Sequence, residues 1–361
     1  MRREFPSHTY VSFDDPAAAR QAETEPDVFL SSLDEPVLFD EVQYVPHLFR
    51  HLKLRLDEDR RPGRYIMTGS QTFALMQNVS ESLAGRCAVL EMNTLSFREI
   101  RRAFGNLLDL EFLIQGGFPE LYSGSAIRAA DWYASYLSTY LERDVRNLRQ
   151  VGDLRDFDRF LRATAARTGQ MLSYAELARD VGIAPNTVKA WVSVLRASGQ
   201  IYLLEPYYRS TGKRLTKSPK LYFADTGLAC YLQGIQDTKM LRAAPAMGAL
   251  WESFVVGQVM RHFQVESQRP PIWFWRTAHG QEVDLLIERG GRFIAVECKA
   301  SENPGHEAAR GFRHFLDSYG EDAIEIGYVA SRVSKPYLMQ KNPPIRAVGV
   351  SDLSASLPVP D

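Results

Sequence analysis

The amino-acid sequence predicts an α/β protein with more than one domain, and three observations lead to this fold class. Its 361 residues exceed what a single hydrophobic core usually organises. From about residue 10 to residue 100, short apolar runs alternate with helical stretches, the pattern of a parallel sheet with crossover helices. From about residue 241 the order is helix, three strands, helix and strand. We therefore expect an α/β domain, a mainly helical region, a second α/β domain and a tail, at residues 1–103, 104–240, 241–350 and 351–361.

Strands are expected wherever the first segment has apolar runs typical of strands covered on both faces. These runs are residues 9–13, 36–40, 64–70 and 87–92. The run PVLFD ends in Asp40 and is followed by Glu41, which places two carboxylates at the carboxyl edge of the sheet, where such folds bind ligands. This is the form of a Walker B motif, in which the aspartate helps to hold magnesium and the glutamate polarises the attacking water. A helix cap or a solvent-facing position is the alternative.

The second segment ends in a pattern typical of a winged helix. A short helix at 174–180, the turn GIAPN, a helix at 187–197 and the apolar run IYLL follow one another. Residues 155–220 hold twelve Lys or Arg against five Asp or Glu, in a chain of formal net charge -1. This excess suits phosphate contacts, so DNA is the expected partner, with a protein–protein module as the alternative. The candidate nucleic-acid-binding residues are Lys189, Arg196, Arg209, Lys213, Arg214 and Lys217, and Lys220 ends the same basic run.

The third segment places carboxylates and a lysine on adjacent predicted strands. Asp284 lies in EVDLLIE, while Glu297 and Lys299 lie two residues apart in VECKA and so share a face of their strand. With Glu252 from the preceding helix, the acids can converge on a divalent cation beside the lysine. We expect Asp284, Glu297 and Glu252 as Mg²⁺ ligands and Asp284, Glu297 and Lys299 as catalytic residues. The alternatives are an ion pair between Glu297 and Lys299 and an ordinary polar role for Glu252.

The series YVSFDDP, VLFDEVQ, IMTGSQ, LAGR, TLSFREI and GGFPELY resembles prokaryotic AAA+ superfamily ATPases that carry a C-terminal domain of unknown function related to restriction-type nucleases. In the last domain, the D-x12-E-x-K spacing and the element order resemble the PD-(D/E)XK nuclease core. The resemblance implies a partial P-loop, AAA+-type parallel sheet, a winged-helix region and a restriction-endonuclease-like α/β domain. It also implies ATP and Mg²⁺ as cofactors, and a homo-oligomer is a further expectation because AAA+ relatives often form rings.

Carried over to this sequence, the resemblance makes Asp40 and Glu41 the Walker B pair, with Asp40 as a metal ligand and Glu41 as a catalytic residue. It makes Thr68 or Ser70 the polar sensor at the end of the next strand, and Arg86 a phosphate-sensing arginine. The alternatives are a turn-capping hydroxyl for Ser70 and a surface salt bridge for Arg86.

The sequence departs from this family at the phosphate-binding loop. No GxxxxGK[ST] string occurs in these residues, although that loop supplies the backbone N–H groups and the lysine that cradle the phosphates. In the family the loop precedes the strand that corresponds to residues 9–13. The chain is therefore expected either to start after the loop or to have a degenerate ATPase half. Nucleotide binding should be poor, and ATP hydrolysis by this chain is not expected.

Composition excludes several classes of protein. The chain is 45% hydrophobic and 24% charged, as folded soluble proteins are, and its three distant cysteines fit neither a disulfide framework nor a zinc site. Without a secretory signal or a long apolar run, a cytoplasmic location with no membrane association is expected. Three functions remain: an AAA+-type ATP-binding protein coupled to a DNA-associated nuclease-like domain, a metal-dependent DNA endonuclease with a scaffold N-terminal domain, and a non-enzymatic DNA-binding regulator.

Overall fold

The computed structural model describes residues 1–69, 82–105, 107–124, 127–141, 154–208, 218–264 and 271–358. The predicted site residues Ser70, Arg209, Lys213, Arg214 and Lys217 lie outside these ranges. The chain divides into two compact units, which are Met1–Val89 (unit 1) and Leu90–Asp361 (unit 2). In the described ranges, no helix is both long and apolar enough to span a bilayer.

Unit 1 is built on a sheet of parallel strands, as predicted. The strands are β1 (Thr9–Ser12), β2 (Val37–Asp40) and β3 (Tyr65–Met67), in the order β1-β2-β3. Helices α1 (Pro16–Thr24) and α2 (Pro26–Ser31) join β1 to β2, and α3 (Leu48–Glu58) joins β2 to β3. The central strand is the most buried, and the Phe39 ring stacks on those of Phe13 and Tyr65. The core of unit 1 therefore surrounds the strand that ends in Asp40.

The predicted strand at residues 87–92 is wrong. In the described part of the chain this run pairs with no strand, and its apolar side chains from Val89 onwards are exposed, with 91% of Met92 accessible. An apolar run becomes a strand only where a neighbour completes its backbone hydrogen bonds. The sequence pattern indicates that the run favours a strand conformation, but the tertiary structure decides whether a neighbouring strand is present.

Unit 2 begins with helices and a small sheet. The helices are α4 (Phe97–Phe104), α5 (Asp109–Gln115), α6 (Ala129–Tyr136), α7 (Leu154–Ala165), α8 (Tyr174–Val181) and α9 (Pro185–Ala197). The antiparallel sheet consists of β4 (Gln170–Met171), β5 (Ile201–Leu204) and β6 (Lys220–Phe223), in the order β4-β6-β5. Gly182, in the left-handed region at φ 81°, ends α8, and Pro185 begins α9. The predicted pair of helices joined by a short turn is therefore present.

The rest of unit 2 is a mixed sheet of six strands with helices on both faces. Its strands are β7 (Ile272–Arg276), β8 (Glu282–Arg289), β9 (Arg292–Cys298), β10 (Ile324–Ala330), β11 (Tyr337–Gln340) and β12 (Ile345–Val348), in the order β11-β12-β10-β9-β8-β7. The helices are α10 (Thr226–Leu232), α11 (Thr238–Ala243), α12 (Met247–Gln264), α13 (Arg310–Tyr319) and α14 (Val350–Ser356). Trp251 of α12 donates its indole N–H to the Ala330 carbonyl over 3.0 Å, which fixes α12 on one face.

The two predicted domains of unit 2 pack against each other. One cluster of buried side chains runs from Phe97 to Leu357, so residues of the predicted domains at 104–240 and 241–350 share a core. The predicted tail at 351–361 is wrong over residues 351–357, because α14 buries Leu353 completely. Proline-rich composition around this helix suggested a loose segment, but the apolar residues between the prolines pack into the core.

The motifs TLSFREI and GGFPELY meet at a buried carboxylate, Asp225. Asp225 caps α10 and accepts hydrogen bonds from the Tyr133 hydroxyl at 2.6 Å and the Gly117 N–H at 2.8 Å, and Thr94 donates to it at 3.3 Å. A Cβ on Gly116, whose φ is 76°, would lie 2.1 Å from the Tyr133 hydroxyl. These motif residues therefore have a structural role, which is to join the helices of unit 2.

Candidate functional site

The first candidate site lies at the carboxyl edge of the parallel sheet in unit 1, around Asp40. Asp40 is the last residue of β2 and pairs with Ser12 of β1, while Thr68 directly follows β3. The Tyr10 hydroxyl donates a hydrogen bond to Asp40 Oδ2 over 2.6 Å, and the Thr68 hydroxyl donates one to Asp40 Oδ1. Each carboxylate oxygen is thus held by a neutral hydroxyl from one side of the strand.

These contacts keep the Asp40 carboxyl ionised. Burial raises the pKa of Asp40, but the hydrogen bonds from Thr68, Tyr10 and the Glu41 backbone outweigh burial and leave this pKa below its usual range. Carboxylate oxygens that accept these bonds keep lone pairs for a cation. Mg²⁺ in phosphoryl-transfer sites takes one or two carboxylates and completes its shell with water and phosphates. Asp40 therefore fits the part of a single protein ligand to Mg²⁺.

Glu41 follows Asp40 but contacts a different partner. Its backbone lies in the left-handed region at φ 56° and ψ 43°, where β2 ends and the 3-10 turn Val42–Tyr44 begins. This conformation costs a non-glycine residue about 1 to 2 kcal/mol, and the Val42 N–H, which donates to the Thr68 carbonyl over 3.0 Å, helps to hold it. The Gln43 amide donates to the Glu41 carboxylate. The two acids are adjacent, but Asp40 is bonded to neighbouring strands and Glu41 within its own turn.

Arg86, the predicted phosphate-sensing residue, is placed away from Asp40. Its Nε and Nη2 donate to the two carboxylate oxygens of Asp57 over 2.8 and 3.0 Å. Asp57 lies in the last turn of α3, where the chain returns to the amino edge of the sheet before β3 starts. Asp40 lies at the opposite, carboxyl edge. The structure therefore brings Thr68 to Asp40 and gives Arg86 a salt bridge elsewhere in unit 1.

The second candidate site is a buried cluster of carboxylates around Lys220 in unit 2. Lys220 begins β6, and 4% of its side chain is exposed. Its Nζ lies 2.7 Å from Glu252 Oε1 and 3.7 Å from Asp284 Oδ1, and it also contacts the Glu282 carboxylate. The Tyr222 hydroxyl donates to the same Glu252 oxygen over 2.6 Å. Strand β6, helix α12 and strand β8 therefore meet at one ammonium group. We call Lys220, Tyr222, Glu252, Glu282 and Asp284 the Lys220 cluster.

Burial and charge set the protonation of this cluster and of Glu297 beside it. Burial, reinforced by the Asp284 charge and opposed by Lys220, raises the pKa of Glu252 to about 7. Burial and the Asp284 charge, opposed by Lys299, raise the pKa of Glu297 to about 8. Burial lowers the pKa of Lys220, but the surrounding carboxylates outweigh burial and leave it above its usual range. Lys220 therefore stays charged, while the two glutamates take up protons near neutral pH.

Asp284 also has a structural contact with the neighbouring strand. The pairing of β7 with β8 shifts register between Trp273 and Trp275, and the regular pairing of β8 with β9 runs from Leu285. Next to this irregularity the Cys298 N–H donates to Asp284 Oδ2 over 2.8 Å. The side chain thereby supplies an acceptor that the regular ladder would otherwise supply.

Glu297 pairs with Lys299 beside the Lys220 cluster. Lys299 Nζ lies 2.8 Å from Glu297 Oε1, as expected for residues on one face of a strand, and this is the predicted ion-pair alternative. Phe293 and Ala295, which alternate with Glu297 along β9, pack with α13, whereas α12 packs on the other face. Glu252 and Asp284 therefore contact Lys220 and Glu297 contacts Lys299, while the Asp284 charge still acts on Glu297.

The Lys220 cluster does not fit a divalent metal as it is arranged. Across the described ranges, no group of three or more His, Cys, Asp or Glu is placed to hold a metal ion. The Lys220 ammonium stands where Glu252 and Asp284 converge, so these oxygens already surround a cation. The predicted ligands Asp284, Glu297 and Glu252 therefore do not act as one metal-binding set in this structure.

Helix α9 presents two of the predicted DNA-binding residues to solvent. Lys189 and Arg196 are exposed and lie on one face, two helical turns apart, while Trp191 and Leu195 are buried on the other face and anchor the helix. Lys220 is 3% exposed, so its predicted place in the phosphate-facing patch is wrong.

Sequence reasoning missed the central role of Lys220 and the contacts of Tyr10, Tyr222 and Glu282. A signal for Lys220 was present, because KLYF is otherwise an apolar strand, and all of its residues are buried. A charged residue at such a position has to be paired. The partners could not be found from the sequence, because Glu252 and Asp284 are 32 and 64 residues away along the chain.

Family comparisons cover most of the chain. Residues 1–101 match the model of an AAA domain. The match supports an AAA+ ATPase superfamily domain. Residues 108–239 match one domain of unknown function (DUF8612), and residues 247–348 match another (DUF4143). The AAA+-type match covers the sheet that holds Asp40, and the third match covers most of the Lys220 cluster.

Relatives extend this picture without a known activity. Uncharacterized proteins of Mycobacterium tuberculosis and Mycobacterium bovis are each 33% identical over 281 residues, which is 78% of this chain. The matched region spans 62% of the length of these relatives. A solved half-complex of Thermococcus gammatolerans McrB AAA+ hexamers with bound McrC aligns over 79% of this chain and 74% of that chain, at 10% identity and a TM-score of 0.27. A TM-score this low does not establish a common fold.

Proposed function

We propose that the AAA+-type unit 1 binds a magnesium–nucleotide complex at the Asp40 edge. The observation that carries the proposal is the ionised Asp40 carboxylate, held by Tyr10 and Thr68 at the carboxyl edge of a parallel sheet. Bound Mg²⁺ would neutralise charge on the nucleotide phosphates. Asp40 would hold the cation, and Thr68 would orient Asp40. Arg86 is left out of the proposal because Asp57 engages its guanidinium.

A fluorescent nucleotide titration tests this proposal. Mant-ADP is titrated with the full chain in Mg²⁺ and in EDTA, for the wild type, Asp40→Asn and Asp34→Asn. Asp34 is an exposed acid of the same unit at the amino edge, so its variant is the matched control. We expect weak, Mg²⁺-dependent binding that Asp40→Asn weakens about tenfold and that Asp34→Asn leaves unchanged. Binding that is independent of Mg²⁺, or equal in both variants, would contradict the proposal.

A second candidate function, DNA backbone binding, is favoured by the exposed basic face of α9. The order α7, β4, α8, α9, β5 and β6 supports a winged helix, in which α9 would take the position of the recognition helix. We propose that Lys189 and Arg196 contact DNA phosphates. The roles of Arg209, Lys213, Arg214 and Lys217 stay predictions.

Salt dependence of DNA binding tests the second candidate. Fluorescence anisotropy with a labelled duplex is measured over a range of salt concentrations for Lys189→Ala, Arg196→Ala and the exposed control Lys239→Ala. Each α9 variant should weaken binding to all sequences and reduce the slope of log K against log salt by about 1. A slope that matches the Lys239→Ala control would contradict the assignment.

Metal-dependent DNA cleavage is not part of this proposal. Asp284, Glu297 and Lys299 stay predicted catalytic residues from the sequence resemblance alone. The arrangement of Glu252 and Asp284 around an internal ammonium argues against a metal centre at that point. A homo-oligomer likewise stays a prediction.

A further inference from the structure

The Lys220 cluster places several acids around a single buried ammonium. Lys220 Nζ lies 2.7 Å from Glu252 Oε1 and 3.7 Å from Asp284 Oδ1, and it also contacts Glu282. The side chains of Glu252, Glu282 and Asp284 are 15%, 21% and 12% exposed, so little water screens their mutual repulsion. Such a group of acids is stable only if a cation compensates the charge or protons neutralise part of it.

Two cations share this task, and their contacts differ. Arg276 Nη1 lies 2.8 Å from Glu282 Oε2, but 38% of its side chain is exposed, so it pairs with the outer side of the cluster. Lys220 is the buried cation, and it touches the acids from both α12 and β8. Lys299, 42% exposed, pairs with Glu297 and not with the acids around Lys220. The centre of the cluster therefore depends on Lys220.

The ammonium occupies the point on which these acids converge. Oxygens of acids on a helix and a strand meet at Lys220 Nζ, and with the ammonium in place no three acids of the described ranges are arranged to hold a metal ion. Proteins bind divalent cations between converging carboxylates of this kind. The Tyr222 hydroxyl satisfies Glu252 at the same oxygen that faces Lys220, and the Cys298 N–H satisfies the second oxygen of Asp284. Glu252 is therefore held at the oxygen that Lys220 contacts, and Asp284 is held at the oxygen farther from Lys220.

We infer that Lys220 takes the place of a divalent cation in this cluster, so that the chain binds its own ammonium there instead of Mg²⁺. The ammonium thereby links two sheets, because Lys220 belongs to the β4-β6-β5 sheet and Asp284 belongs to the six-stranded sheet. The wild-type cluster takes up no divalent cation, and removal of the ammonium opens one site for it.

Manganese binding measures this inference directly. The free Mn²⁺ signal in electron paramagnetic resonance is followed as Mn²⁺ is added to the wild type, Lys220→Met, Lys220→Met/Asp284→Asn and Lys335→Met. Lys335 is an exposed lysine of the same unit and serves as the matched control. We expect Lys220→Met to gain one Mn²⁺ site at least about tenfold tighter than any site in the wild type. The double variant should lose that site, because Asp284 supplies a ligand.

Two further measurements test the inference if Lys220→Met does not fold. One is Mn²⁺ binding by the wild type, and the other is refolding of the variant in divalent cations. A Mn²⁺ site in the wild type that Asp284→Asn removes would overturn the inference. An unfolded Lys220→Met that recovers its native tryptophan fluorescence in Mg²⁺ or Ca²⁺, but not in NaCl of equal ionic strength, would support it. A Lys220→Met protein that neither binds Mn²⁺ nor is stabilised by divalent cations would overturn it. These outcomes do not depend on nucleotide or DNA binding.

Discussion

Carboxylates are central to both the Asp40 site and the Lys220 cluster, yet the neighbouring groups give them opposite properties. Neutral hydroxyls hold Asp40 and lower its pKa, and no ion pair of Asp40 with a described Lys or Arg side chain is formed. In unit 2 the acids surround a buried lysine, and burial raises the pKa of Glu252 and Glu297. The negative charge of Asp40 is therefore left for an external cation. The acids of the Lys220 cluster already have a cation of the chain, which is the Lys220 ammonium. The charge that a group of acids offers to an added cation therefore depends on whether a cation of the chain already lies beside it.

Removal of the internal cation should have the largest effect. Lys220→Met leaves buried carboxylates without their counter-charge and should lower the free energy of unfolding by about 3 to 5 kcal/mol. Urea denaturation followed by tryptophan fluorescence measures this in unit 2 alone, because all five tryptophans lie there. The exposed Lys335→Met variant should stay within about 0.5 kcal/mol of the wild type. If Lys220→Met and Lys335→Met lost equal amounts of unfolding free energy, Lys220 would not be the counter-charge of the buried acids.

A smaller effect is expected from the proton that Glu297 holds. The pKa of Glu297 is raised to about 8, so the associated stability is fully present below the unfolded pKa and is lost as the pH rises through 8. Glu297→Gln keeps the neutral form and should reduce the loss of unfolding free energy between pH 5 and pH 9 by about 2 kcal/mol. The same tryptophan-detected denaturation checks this. The exposed Glu288→Gln variant serves as control, and a wild-type slope in Glu297→Gln would show that Glu297 is ionised when folded.

The hydroxyls of unit 1 should have an effect of about 1 kcal/mol each. Tyr10→Phe and Thr68→Val each remove one hydrogen bond from Asp40 and should raise its pKa towards the usual range. Because the folded pKa is lowered, the stability it contributes is present above the unfolded pKa and is lost on acidification through the folded pKa. Carboxyl-carbon NMR titration of Asp40 measures the change. Tyr44→Phe, at an exposed tyrosine of the same unit, should leave the titration of Asp40 unchanged.

Loss of the Arg86 side chain should have the smallest effect. Arg86 and Asp57 form a partly exposed ion pair, and solvent screening makes such pairs weak, so Arg86→Ala should lower the stability less than the changes above. Hydrogen exchange of peptides from unit 1 measures the local stability. The Mg²⁺-dependent affinity for mant-ADP should equal that of the wild type. If Arg86→Ala weakened mant-ADP binding as much as Asp40→Asn does, Arg86 would contribute to the nucleotide site.

The sequence predicted the strands that contain Asp40, Asp284 and Glu297, because an apolar run with a polar end is a local signal. It also predicted that Glu297 and Lys299 share a face, since the period of a strand is two residues. It predicted that Glu252 and Asp284 converge, but on a divalent cation and not on Lys220. Glu252 and Asp284 come together only because α12 and β8 both pack against β6, and such packing depends on contacts between distant residues.

By itself, the sequence determined the α/β class, the helix pair α8 and α9, and the residue types at the strand ends, because these follow from periodicity, turn residues and short-range order. The tertiary structure alone decided that residues 87–92 lack a partner strand, that residues 90–361 form one unit and that Lys220 lies at the centre of the acids. The physical reason is that the protonation and the partner of a charged group depend on which other groups are buried beside it. Those neighbours come from parts of the chain that only folding brings together.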